Sequence, residues 1–324
     1  MREFIFTFTN IVFVLENENQ KSTIFNASEK LKEVILAIDW SVDSELIDGW
    51  KTPNLYGLLF VTGLIIGYFV VRKMFRREQI KEEILDKLVL YMVLATIIGA
   101  RLGHVLFYGP YFDEIDAMGI TIEEGYFSHP LSILKVWEGG LASHGGAFAI
   151  LITLYFFSKK ISKRPMMWIL DRIVAPIAIA ACFIRLGNLV NHEIVGDVSS
   201  VPWAFSFKYY YNDLIHQYDP TPRHPSQLYE SISYMVLFLT LMFMYWKKNA
   251  WKKPGVMFGT FLILLFGARF FIEFSKIPQV GDRADWLLNT GQLLSIPFVI
   301  AGIYILLTSL KKPPVELTVP ESEE

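Results

Sequence analysis

Ionisable and amide side chains recur near one end of the long apolar segments of this 324-residue chain. The set consists of Arg101, His144, Arg185, Asn188, Asn191, Glu193, His224, Gln227, Glu230, Arg269 and Glu273. A charge within an apolar segment is costly, and it usually marks a functional site or a buried ion pair. Arginine grips anionic groups through paired hydrogen bonds, and histidine exchanges protons near neutral pH. The residue types therefore indicate a site that holds an anion and moves a proton.

Seven segments that are long and apolar enough to cross a membrane carry or adjoin these residues. They are residues 55–71, 85–108, 141–158, 170–190, 227–246, 255–274 and 292–310. A spanning helix needs about 20 apolar residues, and backbone groups in lipid must pair within their own segment. Only 19% of the residues are charged, against about 25% in soluble domains. The sequence predicts an all-α polytopic membrane protein with seven transmembrane helices.

The composition and the spacing of motifs also exclude some classes of function. The formal net charge of −2 argues against a strongly basic nucleic-acid-binding protein. No internal repeat suggests a transporter built from paired halves. The histidines and carboxylates lack the H-E-x-x-H spacing of metalloproteases. We therefore expect no nucleic-acid partner, no metal and no cofactor.

Basic residues alternate between the loops, and this bias sets the orientation of the chain in the membrane. Clusters of lysine and arginine follow the first, third, fifth and seventh segments, at residues 72–81, 159–164, 247–253 and 311–312. The positive-inside rule then places the N-terminus outside and the C-terminus in the cytoplasm. The polar residues named above fall in the outer part of the membrane, and we expect almost no charge in the inner part of the same helices.

Polar groups on five of the seven separate helices have no reason to lie at one depth unless they meet, so we infer one polar cavity open towards the outer leaflet. Single residues allow other interpretations. Arg269 and Glu273, four residues apart, have the spacing of a structural ion pair. Arg101 alone could extend to the outer headgroups, and His144 alone could be a satisfied core histidine. The glycines in residues 139–146 would let a ligand or a backbone approach His144.

The remaining segments are predicted to flank or cover the seven-helix domain, which spans residues 52–311. Residues 1–51 form an extracytoplasmic, interfacial arm, with a helix lying on the membrane surface at residues 31–40. The acidic residues 312–324 form a disordered cytoplasmic tail. Two aromatic-rich outer loops, at residues 109–140 and 191–226, form a small extracytoplasmic cap. Within the second loop, residues 201–211 predict one or two short strands.

Five blocks of the sequence, in order, resemble the prolipoprotein diacylglyceryl transferase family. RLGNLVNHEIVG at residues 185–196 resembles the family signature, and Arg185, Asn188, Asn191, Glu193 and Gly196 fall on it. The other blocks are YGLLF at 56–60, GGLASHGG at 139–146, RHPSQLYE at 223–230 and GARFFIEF at 267–274. The resemblance covers about residues 54–310. Departures are Leu189, where phenylalanine is common, His192, where glycine is common, and an N-terminal arm longer than expected.

The resemblance implies a bacterial enzyme of the cytoplasmic (inner) membrane, with residues 52–311 as its catalytic domain. The enzyme would transfer a diacylglyceryl group from phosphatidylglycerol to the thiol of the lipobox cysteine in prolipoproteins. A thioether would form and glycerol phosphate would leave, as the first step of bacterial lipoprotein maturation. The expected partners are phosphatidylglycerol, lipobox-containing signal peptides and membrane lipids, and the chain is expected to be a monomer.

The resemblance also assigns roles to the candidate residues. His144 would take the thiol proton, and Arg185 and Arg269 would hold the phosphate. The remaining substrate-binding candidates are Tyr56, Arg101, Asn188, Asn191, Glu193, Gly196, Gln227, Glu230 and Glu273. Among these, the two glutamates Glu230 and Glu273 would orient the arginines, and the amides would bond glycerol or ester oxygens. The alternative is a protein that binds or flips anionic lipids, which has little need of an imidazole at His144.

Overall fold

The structure, a computed structural model, describes residues 37–47, 49, 52–115, 124–136, 139–212, 215–276 and 288–315 in full. For residues 5–8, 11–14 and 121–123 it describes the backbone.

Each apolar segment forms a helix, giving seven α-helices within the residues that the structure describes. They are α1 Leu55–Arg77, α2 Glu82–Phe107, α3 Ser143–Lys160, α4 Met166–Val190, α5 Ser226–Trp246, α6 Val256–Ile272 and α7 Thr290–Leu310. A 3-10 turn, Glu273–Ser275, continues α6. All but α3, six helices among the described residues, are long and apolar enough to cross a membrane. The chain is thus a polytopic helical membrane protein.

Helix α3 is not among the helices long and apolar enough to cross a membrane, and it leaves the predicted number of seven spans open. It has 18 residues, begins with Ser143 and His144, and ends with Lys159 and Lys160. These polar ends shorten its apolar stretch below the length that a spanning helix needs. The seventh span therefore stays a prediction.

Eight short strands pair two by two within the described residues. They are β1 Ile5–Phe8, β2 Ile11–Val14, β3 Ile38–Trp40, β4 Glu114–Ile115, β5 Thr121–Glu123, β6 Phe205–Phe207, β7 Tyr211–Asn212 and β8 Gln217–Tyr218. Strands β1 and β2, β4 and β5, and β7 and β8 pair antiparallel, whereas β3 and β6 pair in parallel. Strands β6 and β7 confirm the predicted short strands at residues 201–211.

The chain divides into two compact units, which are described separately. The first unit comprises Met1–Gly63, Ala181–Met235 and Leu265–Pro297. The second comprises Leu64–Ala180, Val236–Leu264 and Phe298–Glu324. The predicted boundaries of arm, helical domain and tail, and the predicted cap, stay predictions. The tail beyond residue 315 lies outside the described residues.

In the second unit, α2 and α3 approach each other through small residues. A Cβ atom added at Gly145 would lie 2.7 Å from the Cα of Gly103, and one added at Gly99 would lie 2.7 Å from the Gly145 carbonyl oxygen. Small residues at a contact allow two helix backbones to come this close. Of the two possibilities predicted for the glycines beside His144, a ligand or a backbone, Gly145 therefore admits the backbone of α2.

A buried ionic cluster of the second unit lies where the helices meet the basic loops. Arg172 Nε and Nη2 donate to the two carboxylate oxygens of Glu78 at 3.0 and 2.8 Å, and the Tyr245 hydroxyl donates to Glu78 at 2.7 Å. Asp171 accepts a hydrogen bond of 2.7 Å from the Gly255 N–H. The expectation of almost no charge at this end was therefore wrong. Because these charges are paired and hydrogen-bonded, they can be buried while fixing the helix ends.

In the first unit, the N-terminal segment joins the loop that follows α4. Strand β3 pairs with β6, and the Trp40 indole Nε1 donates to the Leu189 carbonyl oxygen at 2.9 Å. The helix predicted at residues 31–40 is therefore wrong over residues 38–40, because pairing with β6 overrides the local helical pattern. Residues 31–36 lie outside the described residues.

Candidate functional site

A buried carboxylate, Glu230 of α5, joins two cations in the first unit. Its Oε2 lies 2.7 Å from Nε of Arg185 on α4, and its Oε1 accepts a hydrogen bond of 2.8 Å from Nζ of Lys276. Glu230 is fully buried, and Lys276, just after the Glu273–Ser275 turn, is 8% exposed. A carboxylate buried this deeply needs paired, hydrogen-bonded partners. The predicted contact of Glu230 with an arginine is present, and it fixes the Arg185 guanidinium.

Amide side chains extend this network from Arg185 into the loop after α4. Arg185 Nη1 donates to Asn188 Oδ1 at 3.2 Å, and Asn188 Nδ2 donates to Glu193 Oε1 at 2.7 Å. Asn191 Nδ2 reaches the same oxygen at 3.4 Å, and Gln227 Nε2 donates to the Glu193 carbonyl oxygen at 2.6 Å. Both polar atoms of the Asn188 amide are engaged within the protein. Asn188 therefore positions Arg185 and Glu193 against each other.

The backbone on both sides of Glu193 is in the left-handed region. His192 has φ 55° and Ile194 has φ 57°, which accounts for glycine being common at the first position in the family that the sequence resembles. The His192 imidazole stabilises this backbone conformation through contacts at both of its ring nitrogens. Its Nε2 lies 2.8 Å from the Val42 carbonyl oxygen, and its Nδ1 accepts the Tyr209 N–H at 3.4 Å. His192 thus holds the loop that presents Glu193.

Gly196 lies where three segments meet, and the lack of room for a Cβ atom explains why this residue is a glycine. Its N–H donates to the His224 carbonyl oxygen at 2.9 Å. An added Cβ would lie 2.5 Å from that oxygen and 2.6 Å from the Ser275 carbonyl oxygen. A larger residue would push the signature loop away from α5 and from the turn after α6. The predicted substrate-binding role of Gly196 is therefore one of permitting this packing.

Arg269 and Glu273, spaced for an ion pair, are not paired. Glu273 Oε2 lies 3.9 Å from Lys276 Nζ. Its carboxylate packs against Gly291 in the first turn of α7, where an added Cβ would lie 2.7 Å from Oε2. Arg269 is half-buried and forms no ion pair with any residue that the structure describes. The alternative of a structural Arg269–Glu273 pair is wrong, as is the prediction that Glu273 orients an arginine within the described residues.

Tyr234 of α5 lies within electrostatic range of both Arg185 and Arg269. Tyr56, in the first turn of α1, covers Gly187, where an added Cβ would lie 2.6 Å from the Tyr56 ring. Tyr56 also interacts electrostatically with Arg185. A cation of α4 and one of α6 therefore both lie within electrostatic range of the Tyr234 phenol, and Tyr56 adds a second phenol near Arg185. This arrangement is suited to an anionic group.

The two remaining predicted site residues, Arg101 and His144, belong to the second unit. Arg101 is 6% exposed and lies over the Tyr126 ring at 5.1 Å. Its guanidinium donates to the carbonyl oxygens of Ser132, Ile133, Gly139 and Gly140. These bonds favour a structural role, holding the loop before α3, over extension to headgroups. His144 is the second residue of α3 and is exposed.

Lys276, Tyr234 and Gly291 were missed from the sequence. Lys276 looks like an ordinary loop charge, although it follows Glu273 by three residues. Tyr234 looks like one more aromatic residue in an apolar helix, and its position four residues after Glu230 was the available signal. Among the described residues, no group of three His, Cys, Asp or Glu is arranged to hold a metal ion.

Comparison with known proteins adds a family and close relatives. The sequence model of the prolipoprotein diacylglyceryl transferase family matches residues 49–308. A phosphatidylglycerol–prolipoprotein diacylglyceryl transferase of Tolumonas auensis is 41% identical over 274 residues, which cover 84% of this chain and 98% of its own length. Proteins of the same name from Chloroherpeton thalassium and Porphyromonas gingivalis are each 40% identical, covering 87% and 85% of this chain and 97% and 96% of their own lengths.

Proposed function

The chain belongs to the prolipoprotein diacylglyceryl transferase family, and from this premise we propose that Arg185 and Arg269 hold the phosphate of its lipid donor. The protein transfers the diacylglyceryl group of phosphatidylglycerol to the thiol of the lipobox cysteine of prolipoproteins, the first step of lipoprotein maturation. Several helices of the chain are apolar enough to span a membrane, and it is a multi-pass membrane protein.

The reaction exchanges a carbon–oxygen bond for a carbon–sulfur bond. The thiolate sulfur attacks the glyceryl carbon that carries the phosphate, and the bond from that carbon to the phosphate oxygen breaks. The electron pair stays on the departing glycerol phosphate, and the negative charge of the phosphate group grows from about −1 to about −2. Groups that stabilise this growing charge accelerate the reaction, because they bind the transition state better than the donor.

The observation that carries the proposal is the Arg269 cation, for which the described residues offer no ion-pair partner. An uncompensated charge within a spanning helix is costly. Arg269 nevertheless forms no ion pair with the described residues, and it shares Tyr234 with Arg185. A phosphate between the two guanidinium groups would complete the charge balance with a bidentate grip at each. Glu230 and Lys276 then serve to hold Arg185 in place.

The other predicted residues divide into those that position and those that act. Asn188 holds Arg185, and Glu193 anchors Asn188 and Asn191. His144 is our candidate for the base, because a thiol with a pKa of about 8.5 is mostly protonated at neutral pH. For Arg101 we propose the structural role that its carbonyl contacts support.

The proposed location follows from the charge bias of the loops. We place the chain in the bacterial cytoplasmic membrane, with seven spans, an extracytoplasmic N-terminus and a cytoplasmic C-terminus. Arg185, Glu230 and Arg269 lie towards the ends of their helices opposite the basic loops. The site then faces the outer leaflet and receives both the lipid and the exported precursor from that side.

The test is to incubate the purified full chain in nanodiscs with phosphatidylglycerol and a lipobox peptide. We expect the peptide to gain the mass of a diacylglyceryl group. Arg269→Gln should abolish the gain, whereas Arg76→Gln, at an exposed arginine of the basic loop end, should not. Binding of phosphatidylglycerol by the parent protein without any mass gain would instead support the alternative of a lipid-binding or lipid-flipping protein.

A further inference from the structure

Four buried side-chain atoms have no hydrogen-bond partner within the part of the chain that the structure describes. They are Arg223 Nε, Gln227 Oε1, Glu230 Oε2 and Glu273 Oε2. Glu230 Oε2 and Glu273 Oε2 each face a cation, at 2.7 and 3.9 Å. The Arg223 guanidinium pairs with Asp219 and lies over the Tyr210 ring. Only Gln227 Oε1 lacks a compensating charge or ring among the four.

The orientation of the Gln227 amide is determined by its other end. Nε2 donates to the Glu193 carbonyl oxygen at 2.6 Å, and rotating the amide by half a turn would place two oxygens against each other. Oε1 is therefore an acceptor that needs a donor. It cannot serve ester oxygens, which are themselves acceptors. Of the two partners predicted from the sequence, glycerol or ester oxygens, this leaves a hydroxyl group of glycerol.

The position of Gln227 relates this acceptor to the proposed phosphate site. Gln227 precedes Glu230 by three residues, so the two side chains lie on one face of α5 with about 5–6 Å between their Cβ atoms. Glu230 holds Arg185, one of the two proposed phosphate ligands. A group attached to a phosphate on Arg185 would have to extend by about one helical turn towards the start of α5, and part the side chains that bury Gln227, to contact Oε1.

We propose that Gln227 Oε1 accepts a hydrogen bond from a hydroxyl of the glycerol headgroup, and that it thereby selects phosphatidylglycerol among donors of equal charge. This inference rests on the proposed function of Arg185 and Arg269. A headgroup without hydroxyls leaves the buried oxygen unsatisfied, and sites built to bond a hydroxyl discriminate strongly against analogues that lack it. A trimethylammonium headgroup has no donor either, and Arg185 and Lys276 would repel its charge.

The experiment compares two donors with identical acyl chains and identical charge, phosphatidylglycerol and phosphatidylpropanol. The second lacks both headgroup hydroxyls. With the parent protein we expect kcat/KM for phosphatidylglycerol to exceed that for phosphatidylpropanol by about tenfold or more. Gln227→Met should bring the ratio of the two kcat/KM values close to one. The ratio is the readout, because the change also removes the Nε2 hydrogen bond to the Glu193 carbonyl oxygen and can lower both rates together.

The outcomes separate this inference from the function on which it rests. Retained activity with phosphatidylpropanol shows that the variant is folded, and Ser233→Ala on the same helix should keep the parental ratio. Equal use of both donors by the parent protein, as would follow if a water molecule filled the place beside Oε1, would overturn the inference. Equal loss with both donors in Gln227→Met would also overturn it. Absence of transfer from either donor by the parent would instead defeat the proposed function.

Discussion

The single carboxylate of Glu230 pairs with two cations of the site. Its carboxylate is fully buried between Arg185 and Lys276, at 2.7 and 2.8 Å. Removing one member of such a cluster leaves the others buried and uncompensated. The geometry of the Arg185 guanidinium is thus fixed from behind by Glu230 and from the side by Asn188. A planar fork held in this way is suited to an anion that itself offers two oxygens.

The first prediction follows from that geometry. Arg185→Lys keeps the positive charge but loses the fork, and a lysine cannot bond Glu230, Asn188 and a phosphate in the same directions. We expect kcat/KM for diacylglyceryl transfer to fall by about 10²–10³, measured by the mass gain of a lipobox peptide. Arg76→Lys, at an exposed position in the last turn of α1, is the matched control and should be near parental. Near-parental activity of Arg185→Lys would reduce Arg185 to a general electrostatic role.

The second prediction concerns His144 and separates catalysis from binding. If the imidazole removes the thiol proton, His144→Gln should bind phosphatidylglycerol normally and transfer about 10²–10⁴ more slowly. Raising the pH towards the thiol pKa of about 8.5 should partly restore the rate, because more acceptor is then thiolate without help.

The measurements are the lipid affinity and the pH–rate profile of this one variant. Loss of lipid binding, with no recovery at high pH, would show that His144 positions the headgroup instead.

At the scale of elements, the sequence predicts that the glycines around His144 admit either a ligand or a neighbouring backbone. At Gly145 the structure shows the backbone, because this residue faces α2 across a contact that also uses Gly99 and Gly103. Helices in lipid gain little from burying apolar surface, so close packing of small residues contributes much of their association. This seam is thus a main support of α3, whose polar ends shorten its apolar stretch.

The third prediction tests this seam with two neighbouring glycines. A Cβ at Gly145 would collide with the Gly103 backbone, whereas one at Gly146 would lie at an ordinary 3.5 Å from its nearest neighbour. We expect Gly145→Ala to destabilise the protein by about 1–3 kcal/mol and Gly146→Ala to have little effect. Thermal unfolding of both variants in the same detergent gives the comparison. Equal stability of the two would mean that α2 and α3 separate at little cost.

The positions of the helices were predictable from the sequence, whereas the small elements were only partly so. Apolar runs of spanning length have one stable backbone form in lipid, and each of the seven coincided with a helix. The strand at Ile38–Trp40 was missed because its partner, Phe205–Phe207, is distant in sequence. The ionic cluster of Asp171, Arg172 and Glu78 was missed for the same reason, since its members come from separate segments.

At the scale of the whole molecule, the residues of the proposed site come from α1, α4, α5, α6 and the loops beside them. Their depth was predictable, because each lies near the same end of its helix. Which residues form ion pairs was not predictable. The sequence spacing suggested a pair between Arg269 and Glu273, whereas in the structure Glu273 pairs with Lys276. Spacing within a helix competes with contacts between helices, and here the latter decide. Family resemblance supplied the reaction, and the contacts support the proposed division into positioning and phosphate-binding residues.

The last prediction concerns the orientation of the chain, on which the side of substrate entry depends. Single cysteines are introduced into a Cys182→Ala background, because the native thiol is buried beside Ser231. Basic loops are retained in the cytoplasm, so a membrane-impermeant reagent should not modify cysteine at exposed Arg76 or Lys248 in intact cells. It should modify cysteine at exposed Lys208, in the loop before α5.

Permeabilised cells provide the control, since all three positions should then react. Labelling at position 248 in intact cells would invert the topology and place Arg185 and Arg269 towards the cytoplasm. Exported precursors could not then reach the site from the outer side, and the acceptor would have to be modified before export. Labelling at position 208 alone keeps the lipid, the precursor thiol and the two arginines on one side of the membrane, as the transfer reaction requires.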